Sequence, residues 1–260
     1  MSDMHIISEL FFPPKCVGCG ELLDWETHEK GAFCSKCEAI WNSEKKETCG
    51  ICAKAVSKCL CATEAMEKAG CKTFCKAVYY LHGKSAPPQN RVIFYIKRNR
   101  TERVFRFLAK ELSGGVSDAL RDLSVAPCDA ILTYVPRRPL ARLEYGVDQA
   151  KLLAEALSRE LSVPIQSLLK RSNSGRRAQK WLDRKERFRE VKKAYALRKE
   201  ADVSGKLVIL VDDTVTTGAT MAACIRLLKR AGAKTVMCVS ATVNDQNRER
   251  VEKNKRETRA

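Results

Sequence analysis

The sequence predicts an α/β fold with a parallel sheet, preceded by a small cysteine-rich module. Strand-like apolar segments alternate with amphipathic helices from about residue 77, which is typical of a parallel sheet covered by helices. Ten of the 13 cysteines lie before residue 76, in a segment with few apolar residues relative to its charges. Such a segment needs something other than a hydrophobic core to hold it together, and metal is the obvious candidate.

The chain of 260 residues is long enough for one full domain and a smaller module. From the change in composition we predict a cysteine-rich module over residues 1–75 and an α/β domain over residues 76–245. Residues 246–260 are almost wholly polar and charged. We expect them to form a C-terminal tail that is frayed or a solvated helix.

Charge and hydropathy limit the class of protein. The formal net charge of +17 favours encounters with polyanions such as nucleic acid, nucleotides or pyrophosphate, although a basic protein without an acidic partner fits it equally well. No apolar run approaches the roughly 18 to 20 residues that cross a bilayer, and the first dozen residues lack the features of a secretory signal. We therefore expect a cytoplasmic protein with no membrane span and with reduced thiols.

Within the α/β region, strands and helices are predicted in alternation. A strand at 77–81 is followed by a helix over 101–113, which has Val104, Phe105, Leu108 and Leu112 on one face and which we expect to end at Gly114 and Gly115. The later predicted elements are a strand at 129–135, a helix at about 147–161, a strand-like segment at 163–169, a strand at 207–211, a helix at about 217–231 and a strand at 235–243.

Eight of the early cysteines form four closely spaced pairs, which is a strong signal for zinc. A CxxC turn directs two thiolates to one point, and two such turns complete a closed, structural four-sulfur site. The last pair is CxC rather than CxxC, so we expect one or two zinc ions. The spacing does not decide between consecutive and alternate pairing; we favour consecutive pairs. The predicted ligands are Cys16, Cys19, Cys34, Cys37, Cys49, Cys52, Cys59 and Cys61.

The stretch VILVDDTVTTGATM, residues 208–221, sets two aspartates after an apolar strand and before a glycine-bearing threonine turn. Ligands of parallel sheets bind beyond the carboxyl ends of strands, and the amides of a loop that opens a helix favour phosphate. Carboxylates beside a phosphate cradle suit sugar hydroxyls or a divalent cation, so ribose 5-phosphate fits. The GxxxxGK and GxGxxG patterns are absent. The alternative makes the aspartates helix caps and the threonines ordinary turn residues.

This stretch resembles the phosphoribosyl pyrophosphate (PRPP) signature of type I phosphoribosyltransferases. From about residue 10 to 243 the chain resembles the ComF family, in which a double zinc ribbon precedes a phosphoribosyltransferase-like, Rossmann-like domain. The resemblance implies that Asp212 and Asp213 hold the ribose hydroxyls and help to organise magnesium, as the catalytic pair of the site. It also implies a phosphate-binding loop formed by Thr214, Val215, Thr216, Thr217, Gly218, Ala219 and Thr220.

Two upstream segments extend the resemblance. The stretch VPRRPLARLEYGVDQA at 135–150 is similar to an arginine-rich family segment, and it implies that Arg137 and Arg138 meet pyrophosphate. The stretch NRVIFYIKRNR at 90–100 is similar to a family strand that ends in a lysine, here Lys97, whose charge suits a polyphosphate.

A strongly basic stretch resembles the family's mobile loop. Residues 170–193 hold eleven basic side chains against three acidic ones, with Trp181 among them. Trp181 would stack on a base or anchor the loop. On composition alone, a solvated helix face explains these charges about as well.

Two classes of function remain open on the sequence. In the first, the protein binds PRPP with magnesium, acts in DNA uptake or processing during competence, and transfers a phosphoribosyl group as a glycosyltransferase of the pentosyl class. In the second, it is a non-catalytic nucleotide sensor that binds single-stranded DNA, or an adaptor that docks a helicase or competence proteins. No sequence feature identifies an acceptor for transfer.

Overall fold

A four-stranded parallel sheet forms the centre of the protein. The computed structural model describes residues 13–23, 31–81, 87–137, 146, 148–171 and 194–244. The strand order is β1–β6–β5–β2, and all three pairings are parallel. A separate antiparallel pair joins β3 to β4. The strands are β1 (Phe74–Tyr80), β2 (Ala130–Tyr134), β3 (Leu169–Arg171), β4 (Tyr195–Leu197), β5 (Leu207–Val215) and β6 (Thr235–Asn244).

Helices cover both faces of this sheet. In the described ranges they are α1 (Ser35–Glu44), α2 (Glu64–Glu67), α3 (Pro88–Ile96), α4 (Glu102–Asp122), α5 (Gln149–Leu161) and α6 (Ala219–Arg230). The parallel α/β fold predicted from the alternating pattern is confirmed. None of the helices in these ranges combines the length and the apolar character that a bilayer crossing requires.

Strand β5 shows how the sequence fills both faces. Leu207, Ile209 and Val211 belong to one hydrophobic cluster, whereas Val208 and Leu210 belong to the other. Successive side chains of a strand point to opposite faces, so the unbroken apolar run is that of a strand buried on both sides. The first cluster also contains the buried faces of α3, α4 and α5, and the second that of α6.

The helix expected to end at Gly114 and Gly115 continues to Asp122, so that predicted boundary is wrong. Neither glycine has a positive φ, and both are accommodated within the helix. Beyond them Val116, Ala119 and Leu120 are buried on the same face as the first half. Burial of this second half outweighs the cost of about 1 kcal/mol that a glycine carries in a helix interior.

The segment expected to be a strand ending in Lys97 is the helix α3, and Lys97 is its C-cap residue. Pro88 occupies the first turn, where a proline is tolerated. Val92, Ile93 and Ile96 are fully buried while Phe94 is exposed, which is a helical period. A short apolar run fits either period when it is taken alone.

The segment at 163–169 is less strand-like than predicted. Ile165 makes a single parallel bridge to Leu132 on β2, and β3 begins only at Leu169. Pro164 has no N–H to donate, although its carbonyl accepts from the Leu132 N–H at 2.8 Å. The segment therefore only touches the β2 edge of the sheet.

The cysteine-rich segment packs around the other edge strand, β1. Cys16, Cys37 and Trp41 join the cluster on one face of the sheet, whereas Val56 and Met66 join the cluster on the opposite face. Trp41 donates to the Glu111 carboxylate of α4 at 2.7 Å. Unpaired strand edges are prone to pair with other chains, and here the module covers that edge. The predicted boundary at residue 75 remains a prediction.

Several predicted features lie outside the described residues. They are Arg138, the basic stretch over 172–193 with Trp181, and the tail at 246–260.

Candidate functional site

A polar cavity of about 250 Å³ opens at the carboxyl end of the sheet. Its walls come from the end of β2, the ends of α3 and α5 that face one another, the β3–β4 pair, and the motif that joins β5 to α6. The lining residues are Lys97, Val135, Pro136, Arg137, Asp148, Gln149, Ala150, Arg171, Tyr195, Asp212, Asp213, Thr214 and Thr220.

The two aspartates lie within β5, not beyond its end as predicted. β5 pairs with β6 as far as Val215, but its pairing with β2 stops where Tyr134 meets Val211. The longer strand therefore carries Asp212 and Asp213 past the end of its neighbour and into the cavity. The Asp213 N–H donates to the Asp212 carboxylate at 2.9 Å, which orients that side chain.

The electrostatics of the pair favour a bound cation or hydroxyl donors. Burial raises the pKa of Asp212 well above its ordinary value, and the neighbouring Asp213 carboxylate raises it further. Two carboxylates side by side resist simultaneous ionisation. A divalent cation would remove this repulsion, and sugar hydroxyls would donate hydrogen bonds to the charged form.

The threonine loop leads directly into the first turn of α6. Gly218 is the N-cap residue with φ 75°, a conformation that glycine adopts without strain. The Ala219 N–H lies 3.4 Å from the Thr217 hydroxyl, and the Thr242 hydroxyl donates to that of Thr214 at 3.1 Å. Thr214 and Thr220 line the cavity, whereas Thr216 and Thr217 are exposed and Val215 is buried. The loop is thus only partly turned towards the cavity.

Two basic residues predicted for polyphosphate, Lys97 and Arg137, lie on the wall formed by β2, α3 and α5. The Gln149 side chain contacts both residues. Its N–H groups donate to the backbone carbonyls of Ile96 at 3.2 Å and Lys97 at 3.0 Å, and its carbonyl oxygen accepts from the Arg137 side chain. Gln149 is only 4% exposed. One buried amide therefore joins the end of α3 to the end of β2.

Sequence reasoning missed three ionisable residues of the cavity: Asp148, Arg171 and Tyr195. Asp148 caps α5 by accepting from the Lys151 N–H at 3.4 Å. Arg171 and Tyr195 lie on the β3–β4 pair, with the guanidinium 4.9 Å from the ring centre. Burial raises the pKa of Tyr195, so its hydroxyl stays protonated. Only Asp148 carries a local signal, because an aspartate just before an amphipathic helix is a common cap.

The eight predicted ligand cysteines gather into two tetrads, which can each hold a zinc ion. The first tetrad is Cys16, Cys19, Cys34 and Cys37, and the second is Cys49, Cys52, Cys59 and Cys61; within each, the sulfurs lie within 4.8 Å of one another. The grouping is the consecutive one. Cys19 and Cys34 sulfurs are 3.6 Å apart, close to the edge of about 3.8 Å that a tetrahedron of Zn–S bonds requires.

Backbone N–H groups point at two of these sulfurs and stabilise their negatively charged thiolate forms. The Cys34 N–H points to the Cys16 sulfur at 3.2 Å, and the Cys61 N–H to the Cys59 sulfur at 3.4 Å. Burial acts to raise the pKa of Cys16, but N–H groups of Cys34 and Cys19 outweigh it and lower the pKa to about 7. Burial, followed by the neighbouring Cys52 and Cys59 thiols, raises the pKa of Cys61 to about 12.

A buried lysine indicates that the second tetrad carries negative charge. The Lys76 amino group, on β1, lies 3.2 Å from the Cys59 sulfur and donates to the carbonyls of Cys59 at 3.0 Å and Cys61 at 2.8 Å. The residue is only 4% exposed, and lysines are almost never that buried without a partner. Four thiolates around a divalent ion would carry the net negative charge that this lysine needs.

The chain is similar to known proteins over part of its length. The family described as "Phosphoribosyl transferase domain" matches residues 148–260. Among solved structures, a hypoxanthine phosphoribosyltransferase from Trypanosoma cruzi is 16% identical with a TM-score of 0.37, covering 56% of this chain and 70% of that one.

Sequence relatives extend further along the chain. The "DNA utilization protein YhgH" of Shigella flexneri and that of Escherichia coli strain K12 are each 32% identical over 160 residues, which is 61% of this chain and 69% of theirs. Because this identity spans more than two thirds of each relative, the chain belongs to the ComF family, that of these DNA utilization proteins.

Proposed function

We propose that the cavity binds PRPP, or the ribose 5-phosphate part of a nucleotide, together with magnesium. The single observation that carries the proposal is that one cavity joins an aspartate pair and a threonine loop to a wall bearing Lys97 and Arg137. PRPP needs all three groups: acceptors for its ribose hydroxyls, a loop for its 5-phosphate and cations for its pyrophosphate.

Each group has a distinct part in this proposal. Asp212 and Asp213 accept hydrogen bonds from the ribose hydroxyls, and the amides and hydroxyls from Thr214 to Thr220 bind the 5-phosphate at the start of α6. Lys97 and Arg137 neutralise the pyrophosphate, with Arg138 as a further candidate. Asp212 and Asp213 would help to hold magnesium, which would supply positive charge to balance the pyrophosphate.

Thermal denaturation of the full chain tests this site. PRPP with magnesium is expected to raise the Tm of the wild type, because a ligand that binds only the folded state stabilises it. Asp212→Asn is expected to lose most of this shift, while Asp202→Asn, an exposed aspartate outside the cavity, keeps it. Equal shifts in the wild type and Asp212→Asn would contradict the proposal.

A second assay, with the same two proteins, separates binding from transfer. A phosphoribosyltransferase releases pyrophosphate from PRPP when its acceptor is present, whereas a sensor leaves PRPP intact. Pyrophosphate release across a set of nucleobases and single-stranded oligonucleotides, compared with Asp212→Asn, therefore distinguishes the two alternatives.

We also propose that the protein acts in DNA uptake or processing and binds single-stranded DNA there. The name of its relatives, DNA utilization protein, supports this role, and the net charge of +17 supports a polyanionic ligand such as DNA. A specific surface adds to this. Phe94 is 50% exposed, with Tyr80 at 6.4 Å between ring centres and the Lys97 amino group 5.6 Å from its ring. Aromatic faces beside cations suit stacked bases and phosphates.

Binding of a labelled single strand across a salt series tests this second proposal. Affinity is expected to fall steeply with salt because phosphate contacts release counterions. Phe94→Ala should weaken binding at every salt concentration, by about 1 to 3 kcal/mol for one stacked base. Leu123→Ala, an exposed apolar residue just past the end of α4, is the matched control. A flat salt response would exclude an electrostatic mode of binding.

A further inference from the structure

One residue, Thr63, connects the second cysteine tetrad to the threonine loop. A Cβ built on Gly218 would lie 2.0 Å from the Thr63 hydroxyl oxygen, so this hydroxyl fills the space that a side chain at Gly218 would occupy. The same hydroxyl lies 3.4 Å from the Thr217 carbonyl oxygen. Thr63 thus lies against the two loop residues that precede α6.

Thr63 is itself held by the tetrad. It follows the last ligand, Cys61, by two residues. On the β1 side, Lys76 donates to the Cys59 and Cys61 carbonyls, and the Phe74 N–H donates to the Leu60 carbonyl at 3.0 Å. The backbone from Cys59 to Cys61 is therefore fixed both by the predicted metal and by the edge of the sheet.

The helix that follows Thr63 extends the contact. Met66 on α2 is fully buried in the cluster that contains Met221 and Ala222 of α6, and its Cγ and Sδ atoms lie 3.1 Å from the Cβ position of Gly218. The N–H groups of Met66 and Glu67 donate to the Thr63 carbonyl at 2.9 and 3.0 Å. Thr63 is therefore wedged between its own helix and the loop.

We infer that Thr63 is a positioning residue for the phosphate-binding loop, and that metal in the second tetrad, through Thr63, sets the loop's affinity for phosphate. The inference rests on the proposed function of this loop. With Thr63 in place, the peptides of Thr217 and Gly218 have few alternative conformations, so less conformational entropy is lost when phosphate binds. Without it, the loop becomes ordered only at the expense of binding free energy.

Titration calorimetry of the zinc-loaded full chain with ribose 5-phosphate and, separately, with pyrophosphate provides the test. Thr63→Ala is expected to weaken ribose 5-phosphate binding about 3- to 10-fold, the size of one lost contact. Thr63→Ser, which keeps the hydroxyl, should stay within about twofold of the wild type. Pyrophosphate affinity should not change in either variant, because Lys97 and Arg137 lie on the wall formed by β2, α3 and α5 and not on the loop that Thr63 contacts. A merely structural defect would weaken both ligands.

A second part of the experiment tests the role of the metal by substituting one cysteine ligand from each tetrad. Cys61→Ser and Cys19→Ser should each lower the zinc content, but only Cys61→Ser should weaken ribose 5-phosphate binding. Equal ribose 5-phosphate affinity in the wild type, Thr63→Ala and Cys61→Ser would overturn the inference while leaving the proposed function intact.

Hydrogen exchange without ligand distinguishes a failure of the positioning role of Thr63 from a failure of the proposed function. The amides of residues 216–219 should exchange faster in Thr63→Ala than in the wild type if Thr63 positions the loop. No binding of ribose 5-phosphate to the wild type would contradict the proposed function. Unchanged exchange in Thr63→Ala would contradict the positioning role.

Discussion

At Asp212, burial and the Asp213 carboxylate both favour a protonated carboxyl, so its pKa lies well above the ordinary aspartate value of 3.8. The folded state therefore holds a proton that the unfolded chain releases. The stability associated with Asp212 is fully present below about pH 3.8 and is lost as the pH rises through the raised folded-state pKa. At neutral pH the wild type without ligand retains this penalty.

We therefore expect Asp212→Asn to be more stable than the wild type at neutral pH in the absence of ligand. The difference should shrink as the pH falls towards 4. Urea unfolding from pH 4 to 8 measures it, with Asp202→Asn as the exposed control. A wild type as stable as Asp212→Asn at every pH would show that the aspartate pair carries no electrostatic strain.

Local signals were sufficient for this part of the site but not for the wall formed by β3 and β4. The apolar residues from Leu207, the two aspartates and Gly218 are contiguous, so the strand, the acidic pair and the turn were all predictable. Arg171 and Tyr195 lie on separate strands with a long basic segment between them, and their contact exists only in the folded protein. No local pattern predicts such a pair.

Among the elements, the wall for pyrophosphate depends on how α3 and α5 meet. Gln149, in the first turn of α5, bonds the last carbonyls of α3 and the Arg137 side chain. The orphan carbonyls of a helix end need partners, and here the partner also sets the position of Lys97. The family resemblance assigned this segment to a strand, and the apolar run from Val92 to Ile96 is too short to distinguish the two periods by itself.

Gln149→Ala is expected to weaken pyrophosphate binding about 10-fold or more, because Lys97 and Arg137 lose a shared support and a buried carbonyl loses its donor. Ribose 5-phosphate binding should change far less, since the hydrogen bonds of the Gln149 side chain go to Ile96, Lys97 and Arg137 and not to the threonine loop. Calorimetry with both ligands measures the difference, with Gln166→Ala, an exposed glutamine, as control. An equal loss for both ligands would indicate a general structural defect instead.

At the scale of the whole molecule, the cysteine module is part of the core. The first tetrad lies on one face of the sheet beside α3 and α4: Arg91 donates to the Gly18 carbonyl at 2.7 Å, and Phe33 packs edge-on against Phe107 with ring centres 5.3 Å apart. The second tetrad lies beside β1, where Lys76 contacts the Cys59 sulfur, and the helix α2 that follows it packs in the same cluster as α6. The cysteine spacing predicted the tetrads, but their docking to β1 depends on partners distant in sequence.

This arrangement predicts that zinc removal destabilises the entire protein in a single transition. Without metal, the four sulfurs of each tetrad lose the ion that would hold them together, and the binding free energy of structural zinc is folding free energy. A membrane-permeant chelator should lower the Tm followed by far-ultraviolet circular dichroism and by tryptophan fluorescence to the same extent, because Trp41 lies in the shared core. The chelator already saturated with zinc is the control. Two separate transitions, with the sheet melting at its original temperature, would show that the module and the α/β domain fold independently.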